Sequence, residues 1–356
     1  MKFGFILTDF SGGGAEKAVL NICLGLKDRN HEVVIYIFNP NHQYVVPKGL
    51  KVVLISSKLK IGFLKKRILA YQLKKAINIE SRKAPFNLTI STLPYADEIA
   101  YYAKLKNHFF RVANTLSAEI EKLKFKNRLK AYKRWIRYKL IYSKNVIAVS
   151  SGVKYDLQKY FGTSLRNIEV IYNPFNFQEI RKLAKENFEQ PDYEYLIHIG
   201  RFSPQKRHDV LLNAFLKVDE KIKLVLLTEK NENLNLLIKS KNLQDRVVIT
   251  GFQKNPYKWI KNAKLLVLSS DFEGMPNVLI ESLIVGTPVV STDCPSGPKE
   301  ILDSEVFSKF LVPIADPESL SRAINNFLEN ESYPSIDLGK FNRDISLSKY
   351  ESLGKN

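Results

Sequence analysis

Near-continuous apolar runs alternate with segments of helical periodicity along the first half of the chain. The run FGFIL (3–7) precedes a turn, a helical segment and the run EVVIYIF (32–38). Further apolar runs occupy residues 88–92, 108–113 and 145–150. Strands that are apolar throughout are typical of parallel sheets covered by helices on both faces. The pattern therefore predicts a first α/β domain over residues 1–175.

A second series of alternating strands and helices follows a polar stretch. Residues 176–193 are mostly polar, and we interpret them as a linker. Apolar runs then occur at 194–200, 222–228, 246–251, 264–270, 288–293 and 309–313. This predicts a second α/β domain over residues 194–335 and therefore an architecture of two doubly wound sheets that face a cleft. Ligands of such sheets bind beyond the carboxyl ends of the strands, so functional residues are expected there. Residues 336–356 contain a short amphipathic helical pattern, a candidate to return to the first domain.

The composition agrees with a two-domain globular protein and excludes several other classes. With 356 residues, of which 45% are hydrophobic and 26% charged, the chain is neither disordered nor fibrous. Cys23 and Cys294 are too few for a disulfide framework, and the five histidines show no metal-ligand spacing, so no metal is predicted. No stretch approaches the ~20 apolar residues of a membrane-spanning helix, so we expect a cytosolic protein or one that lies on a membrane surface.

The net charge of +19 is concentrated in the first half of the chain. Residues 1–180 contain 31 Lys and Arg against 12 Asp and Glu, whereas residues 181–356 contain 24 of each. An asymmetry of this size indicates that one half of the molecule meets an anionic surface, either membrane lipid or nucleic acid.

Two basic segments carry much of this excess. Residues 122–144 contain ten basic residues and no acidic one, and residues 58–75 contain seven and none. Apolar residues of the longer segment fall on one helical face, which is typical of a basic amphipathic helix on anionic lipid. The expected membrane contacts are Lys130, Lys133, Arg134, Trp135 and Arg137. The alternatives are a helix packed on its own domain with a solvated basic face, and an RNA-binding surface, although no recognised nucleic-acid motif accompanies it.

A glycine-rich turn directly after the first apolar run is the first candidate for ligand chemistry. Ser11, three glycines, Ala15 and Glu16 open a helix there. Glycines let a backbone approach a ligand closely, and a helix N-terminus supplies N–H groups for an anion. The segment is neither G-x-G-x-x-G nor a P-loop, and a plain tight turn between strand and helix is the alternative.

A basic loop opens the second domain. Arg201 and Lys206 lie five residues apart across a Ser-Pro turn, so both can point toward one ligand. Two fixed cations suit a diphosphate. The alternative is a solvated basic loop.

The third and strongest candidate is the segment 269–302. Glu273 falls in a loop after a strand, Pro276 suits the first turn of a helix, and Glu281 lies two turns further on. The two carboxylates can face one ligand, and the helix dipole favours a phosphate at the loop amides. Those amides belong to Gly274, Met275, Asn277 and Val278. Alternatively, Glu281 anchors a neighbouring loop.

These segments together resemble a known family. The stretch EGMPNVLIE with GTPVVST downstream, the loop GRFSPQK and the turn GGAE are similar to those of the retaining glycosyltransferases of family four, which have the GT-B fold. The stretch STDCPSGPKEIL is similar to bacterial enzymes that extend lipid-linked or lipopolysaccharide oligosaccharides. The resemblance implies transfer of a sugar from a nucleotide-sugar to a lipid-linked, lipopolysaccharide or capsular glycan. UDP is the expected nucleotide, and GDP is the alternative. The resemblance also implies no cofactor, no nucleic-acid partner and a peripheral position on the inner face of the cytoplasmic membrane.

The resemblance also implies residue roles in the second domain. Glu273 is expected to bind hydroxyls of the donor sugar, and Glu281 those of the ribose. Arg201 and Lys206 are expected to neutralise the leaving diphosphate, and the backbone near Phe252 to meet the base. The chain has no Asp-x-Asp, so cations and a helix N-terminus are expected in place of a divalent metal.

In the first domain the resemblance implies that Gly13 and Gly14 let the domain close on the diphosphate and that Glu16 orders the loop. Two features depart from the family pattern. Asn114 stands where many members have a histidine, so an acceptor-side role as general base is not expected of it. The loop 228–231 lacks the glycines found in the family, so nucleotide contacts are not transferred to it.

Other functions remain open from the sequence. Within enzymes, a GT-B sugar-nucleotide epimerase or a phosphorylase is the alternative. The alternative that is not an enzyme is a basic nucleic-acid-binding or scaffold protein. That function does not explain the positions of four charged residues: Glu273, Glu281, Arg201 and Lys206.

Overall fold

The structure of the protein is a computed structural model. It divides into two compact units. The structure describes residues 1–11, 13–40, 49–56 and 62–355. Unit 1 comprises residues 1–174 and 341–356, and unit 2 comprises residues 175–340. Gly12 of the glycine-rich turn and residues 58–61 of the second basic segment lie outside the described residues.

Unit 1 is built on a parallel sheet of seven strands with the order β3-β2-β1-β4-β5-β6-β7. The strands are β1 (Lys2–Leu7), β2 (Glu32–Ile37), β3 (Lys51–Leu54), β4 (Leu88–Thr92), β5 (His108–Val112), β6 (Val146–Ala148) and β7 (Ile168–Val170). Phe3 aligns with Val33 on one side and with Leu88 on the other, so β1 lies inside the sheet. All six residues of β1 are buried, because helices cover both faces of the sheet.

Seven α-helices of unit 1 lie in the described part of the chain. They are α1 (Gly14–Asp28), α2 (Phe63–Ser81), α3 (Pro94–Ala103), α4 (Leu116–Lys126), α5 (Arg128–Tyr142), α6 (Ser151–Phe161) and α14 (Arg343–Lys355). Ser150 caps α6 by accepting a hydrogen bond from the N–H of Val153 at 3.1 Å, and Gly162 ends the helix with φ +65°.

The last helix of the chain packs inside unit 1. A Cβ on Gly25 of α1 would lie 2.5 Å from Cδ1 of Leu347, so the absence of a side chain lets α14 approach α1 closely. Glu351 of α14 binds Arg29 at 2.9 Å and His31 at 2.7 Å. Leu347 therefore belongs to the same buried cluster as β1.

Unit 2 is built on a second parallel sheet, with the order β10-β9-β8-β11-β12-β13. Its strands are β8 (Tyr195–Ile199), β9 (Lys223–Leu227), β10 (Val247–Ile249), β11 (Leu265–Leu268), β12 (Val289–Thr292) and β13 (Leu311–Val312). Its α-helices are α7 (Phe177–Leu183), α8 (His208–Phe215), α9 (Glu232–Lys239), α10 (Tyr257–Lys261), α11 (Asn277–Val285), α12 (Pro298–Ile301) and α13 (Pro317–Asn330). Short 3₁₀ helices occupy Leu165–Asn167 in unit 1 and Glu305–Phe310 in unit 2. A third, Gly339–Phe341, includes the last two residues of unit 2 and the first residue of the chain segment that returns to unit 1.

The predicted fold class, two doubly wound α/β domains, is confirmed, and the differences are local. Strand β3 was not predicted, because its burial is incomplete and both its ends are exposed. The predicted strand at 309–313 is wrong at its start, where a 3₁₀ helix runs to Phe310. Helix α7 lies in the predicted linker, and Arg181 on it donates to the carbonyl of Ile284 at 3.1 Å. Among the described residues, no helix is both long and apolar enough to cross a membrane.

Candidate functional site

Two loops of unit 2 are joined side by side at the carboxyl ends of β8 and β11, which are neighbours in the sheet. The hydroxyl of Ser269 donates to the carbonyl of Lys206 at 2.8 Å. The N–H of Asp271 donates to the carbonyl of Gln205 at 2.9 Å, and the Gln205 amide donates to the carbonyl of Phe272 at 2.7 Å. These bonds fix the basic loop predicted around Lys206 against the loop that contains Glu273.

An ion pair connects the two loops. Lys206 Nζ lies 2.6 Å from Glu273 Oε1, and Glu273 is only 8% exposed. The N–H of Glu273 donates to the carbonyl of Pro295 at 3.2 Å, so a third loop fixes the backbone at Glu273. Burial, and then the nearby Glu273 carboxylate, raise the pKa of the Cys294 thiol. The structure thus brings together two of the three predicted catalytic residues in a largely dry environment.

The two predicted cations are placed differently. A Cβ on Gly200 would lie 3.2 Å from Cε of Lys206, so the glycine leaves room for the lysine stem. Arg201 is exposed to solvent. Arg207, which the sequence interpretation did not single out, pairs with Asp209 at 2.8 Å and with Asp271 at 2.9 Å. Lys206 is therefore held by the fold, whereas Arg201 lies on the surface of the loop.

The loop that leads into α11 is closely packed. Gly297 has φ +106°, and a Cβ there would lie 2.3 Å from Cδ of Pro276. The helix begins at Asn277, so Pro276 precedes the first turn that the sequence assigned to it. The predicted phosphate-binding stretch contains three buried residues followed by two half-buried ones: Gly274, Met275, Pro276, Asn277 and Val278.

Glu281 lies on α11 and is buried. The hydroxyl of Tyr257, on α10, donates to one of its carboxylate oxygens at 3.3 Å. This contact joins Glu281 to a helix, whereas the alternative considered from the sequence was an anchor for a neighbouring loop. Phe252, the residue expected near the base, is 40% exposed and follows Gly251, whose φ is +79°.

A pair of buried histidines packs against the basic loop. The sequence did not predict this pair. The rings of His198 and His208 have centroids 4.8 Å apart, and the ring of Phe202 lies 5.2 Å from that of His208. His198 Nδ1 lies 2.9 Å from the carbonyl oxygen of Val267 on β11. Burial lowers the pKa of His208 to about 4, so the ring is neutral at pH 7. The only sequence signal was a histidine directly after the basic loop.

The glycine-rich turn of unit 1 opens α1 as predicted. Gly13 takes the position before the helix, Gly14 is its first residue, and Glu16 is buried in its first turn, where a carboxylate complements the helix dipole. Asp9 accepts hydrogen bonds from the N–H of Ser11 at 3.0 Å and from the Asn39 amide at 3.3 Å. The turn is thus tied to the end of β2.

Asn114, the acceptor-side candidate, follows β5 and is half-buried. Its Oδ1 has no hydrogen-bond partner in the described part of the chain. Nearby in sequence, the buried Arg111 guanidinium donates to Thr92 Oγ1 at 3.4 Å and to Asn173 Oδ1. These contacts join the ends of β4, β5 and β7. The sequence offered only one hint of them, a lone arginine in an apolar strand.

Unit 1 also contains a buried carboxyl group that the sequence did not indicate. Asp97 accepts hydrogen bonds from Ser91 at 2.5 Å and from the Tyr142 hydroxyl at 2.8 Å. Burial raises its pKa to about 7, although both bonds and the nearby Arg111 charge oppose the rise. Among the described residues, no Lys or Arg forms a salt bridge with Asp97, whereas Glu273 is paired with Lys206.

Helix α5 has one face packed on unit 1 and one face exposed. Its buried residues are Ala131, Tyr138, Ile141 and Tyr142. The apolar row predicted to meet lipid is exposed, at 74% for Leu129 and 61% for Tyr132. Ile136 and Leu140 continue this row and are also exposed.

The five predicted membrane contacts fall into two groups. Lys130 and Lys133 are exposed. Arg134 pairs with Glu119 at 2.5 Å, and Arg137 pairs with Glu98 at 3.1 Å. The indole N–H of Trp135 donates to the carbonyl of Tyr160 at 3.0 Å. Three of the five thus also hold α5 in place.

Two family models match consecutive parts of the chain. Residues 12–179 match the model described as Glycosyltransferase Family 4, and residues 179–343 match the model described as Glycosyl transferases group 1. Among the described residues, no group of three His, Cys, Asp or Glu side chains is close enough to hold a metal ion.

Curated relatives align over most of the chain. One is an N-acetylgalactosamine-N,N'-diacetylbacillosaminyl-diphospho-undecaprenol 4-alpha-N-acetylgalactosaminyltransferase of Campylobacter jejuni, 29% identical over 93% of this chain and 91% of that protein. Another is a lipopolysaccharide 1,6-galactosyltransferase of Salmonella typhimurium, 24% identical over 88% of this chain and 86% of that protein.

Solved structures share the fold over the full length. An Anabaena protein crystallised in complex with UDP has a TM-score of 0.73 at 19% identity, covering 100% of both chains. The apo form of a lipopolysaccharide outer core galactosyltransferase has a TM-score of 0.71 at 20% identity, covering 99% of both chains. The GT-B fold predicted from the motifs is confirmed.

Proposed function

This chain belongs to the GT4-like glycosyltransferases, and we propose that it transfers a sugar from a UDP-linked donor to a lipid-linked or lipopolysaccharide glycan, with retention of anomeric configuration. The observation that carries the proposal is the Lys206–Glu273 ion pair at the carboxyl ends of two adjacent strands, beside the start of α11. Parallel α/β sheets bind their ligands at that edge.

The charges around this pair suit a nucleotide diphosphate. In the proposed complex, Lys206 neutralises the diphosphate and Glu273 accepts hydrogen bonds from hydroxyls of the sugar. Preorganised charges aimed at the leaving group are often the largest catalytic contribution. Arg201 supplies a second cation from the exposed surface of the loop. We assign no metal to the reaction, because the chain has no Asp-x-Asp to bind one.

The proposed reaction needs no base from the protein. The bond between the anomeric carbon and the diphosphate oxygen breaks, and an acceptor hydroxyl forms the new glycosidic bond on the same face. Its proton passes to the departing phosphate oxygen. Asn114 is excluded as the base, because a neutral amide does not accept a proton at neutral pH.

The acceptor proposal rests on unit 1 and on the relatives. Both curated relatives named above are described as acting on lipid-borne glycans. Helix α5 has six basic residues, no acidic residue and an exposed apolar row, which is the pattern of a helix that lies in a membrane interface. We therefore propose that unit 1 meets the acceptor at an anionic membrane surface on the cytoplasmic side.

Thermal shift with a panel of nucleotides tests the donor proposal. UDP or a UDP-sugar is expected to raise the melting temperature of the wild-type protein, because a ligand that binds only the folded state stabilises it by mass action. Lys206→Met should lose most of this increase. The matched control is Lys264→Met, because Lys264 pairs with Glu194 at 2.8 Å and Glu331 at 3.0 Å elsewhere on unit 2. Equal stabilisation of both variants, or a wild-type response to GDP alone, would contradict the proposal.

A further inference from the structure

A cavity of about 780 Å³ lies in unit 1 at the edge of the sheet opposite Asn114. Asn107 and Asn145 line it, and they directly precede β5 and β6. The ends of α3 and α5 form its sides through Lys104 and Ser143. Because Asn114 follows β5, this cavity is separate from the acceptor-side candidate.

The charged side chains that line the cavity, among the described residues, are all positive. Arg67, Lys104 and Lys144 line it, and none of the described lining residues is acidic. Lys104 and Lys144 are exposed, and neither ammonium lies in a salt bridge with a described carboxylate. Concave surfaces with one sign of charge concentrate ions of the opposite sign.

The charges next to the cavity do not cancel this excess. Glu98 accepts a hydrogen bond from Tyr102 of the cavity wall at 3.4 Å. The same carboxylate is already paired with Lys66 at 2.6 Å and with Arg137 at 3.1 Å, so its charge is balanced. His108 also lines the cavity, but burial lowers its pKa to about 3, and the ring is neutral.

The walls suit a group larger than a simple ion. The Arg67 guanidinium lies 4.1 Å from the centre of the Tyr102 ring, which orients its N–H groups. Guanidinium and ammonium groups together are the usual partners of phosphate oxygens. The volume is within the range of about 300–1,000 Å³ typical of small-molecule sites.

We propose that this cavity is a second anion site, which binds a phosphate ester carried by a phospholipid headgroup or by a soluble compound. Ser143, on the rim, lies three residues beyond Leu140, the last residue of the exposed apolar row of α5. The cavity and the row thus share one end of the helix. The inference does not rest on the proposed sugar transfer.

Two probes distinguish the sources of the phosphate. Glycerol 3-phosphate, with glycerol as the uncharged control, represents a soluble ester, and its binding is measured by titration calorimetry. Sedimentation with phosphatidylcholine vesicles, with and without phosphatidylglycerol, represents a membrane. The variant Lys104→Gln/Lys144→Gln is compared with Lys74→Gln/Lys75→Gln, which removes two exposed charges of α2 outside the cavity lining.

The cavity variant should bind at least about tenfold more weakly, because two charge-assisted contacts are lost. The α2 variant should bind like the wild type. If the cavity variant binds only the vesicles more weakly, the site is assigned to lipid headgroups. If it also binds glycerol 3-phosphate more weakly, the site accepts soluble phosphate esters too, and weaker binding of glycerol 3-phosphate alone assigns the site to soluble esters. Equal weakening by both variants, or no change with either probe, would overturn the proposal. Stabilisation by the nucleotide panel should be the same in both variants, so this result is independent of the donor site.

Discussion

Units 1 and 2 have the same architecture and opposite electrostatics. Unit 1 contains 34 Lys and Arg against 13 Asp and Glu, whereas unit 2 contains 21 against 23. In unit 2 the charges at the candidate site are paired by the fold, Lys206 with Glu273 and Arg207 with Asp271. In unit 1 the excess lies on exposed helical surfaces such as α5. Charges are thus held in specific pairs where a defined ligand is expected, and they are spread over a surface where a membrane is expected.

This difference has energetic consequences. The ion pair of Lys206 and Glu273 is partly withdrawn from water, so its attraction recovers only part of the cost of desolvating two charges and is weak evidence for stability. Its position beside the helix that begins at Asn277 therefore favours a ligand-binding role over a structural one. Exposed lysines carry no such cost, and they act together through the surface potential.

The largest expected effect is at the ion pair. Glu273→Gln keeps the shape of the side chain but removes its charge. Turnover should fall by at least about 100-fold, as for loss of a preorganised catalytic contact. Activity is measured as release of free nucleotide from the donor found by thermal shift. Glu232→Gln, an exposed position at the start of α9, is the control and should retain wild-type turnover. Near-normal turnover of Glu273→Gln with an unchanged melting temperature would remove Glu273 from the site.

The next effect concerns Asp97, the buried carboxyl group of unit 1. Burial raises the pKa of Asp97 to about 7 from its usual value of 3.8, so the folded state binds the proton more tightly than the unfolded state. The contribution of Asp97 to stability is therefore greatest below about pH 4 and declines as the pH rises to 7.

Asp97→Asn removes this decline. Its stability relative to the wild type should increase between pH 4 and 7, by a few kcal/mol at about 1.4 kcal/mol per pKa unit. Urea unfolding at several pH values measures the difference. Asp245→Asn, an exposed carboxylate of unit 2, is the control and should follow the wild type. A constant difference across this range would show that folding does not raise the pKa of Asp97.

A smaller effect is expected at the exposed face of α5. Lys130→Gln/Lys133→Gln should weaken binding to anionic vesicles by about 25-fold, since each lysine near such a surface contributes ~1 kcal/mol. Arg134 and Arg137 are left unchanged, because they pair with Glu119 and Glu98. Lys221→Gln/Lys261→Gln in unit 2 is the charge-matched control. If that control loses as much vesicle binding, the membrane assignment of α5 fails, and steeply salt-dependent RNA binding by the wild type would favour the nucleic-acid alternative.

The smallest effect separates anchoring from ligand binding at Glu281. Tyr257→Phe removes one hydrogen bond and should lower the free energy of unfolding by about 1 kcal/mol while leaving nucleotide affinity nearly unchanged. Glu281→Gln should lower nucleotide affinity by about tenfold, because a charge-assisted bond to the ribose is lost. Calorimetric titration with UDP compares the two. Equal losses of affinity would mean that Glu281 acts only through Tyr257.

The sequence predicted most of the fold because most strands of both units are predominantly apolar. It failed at β3 because that strand is short and exposed at both ends. The loops of the candidate site could be located because each follows a strand. Their connection could not, since Lys206 and Glu273 are 67 residues apart and only the sheet order brings them together.

The same limit applies to α5. Helical periodicity predicted its exposed apolar row, which depends only on neighbouring turns. The partners of Arg134 and Arg137 lie 15 and 39 residues away, and no local pattern indicates them. Asp97 and the pair of His198 and His208 were missed for a related reason, because burial of a polar side chain depends on tertiary packing.

The central claim is that unit 2 supplies the sugar and unit 1 presents the lipid-borne acceptor. Its most direct test is transfer of labelled sugar from a panel of UDP-sugars to endogenous acceptors in anionic bacterial membranes, followed by organic extraction. The wild type should place label in the lipid-extractable or lipopolysaccharide fraction, and Glu273→Gln should not. Conversion of one UDP-sugar into another without labelled glycan, or equal labelling by both proteins, would contradict the account.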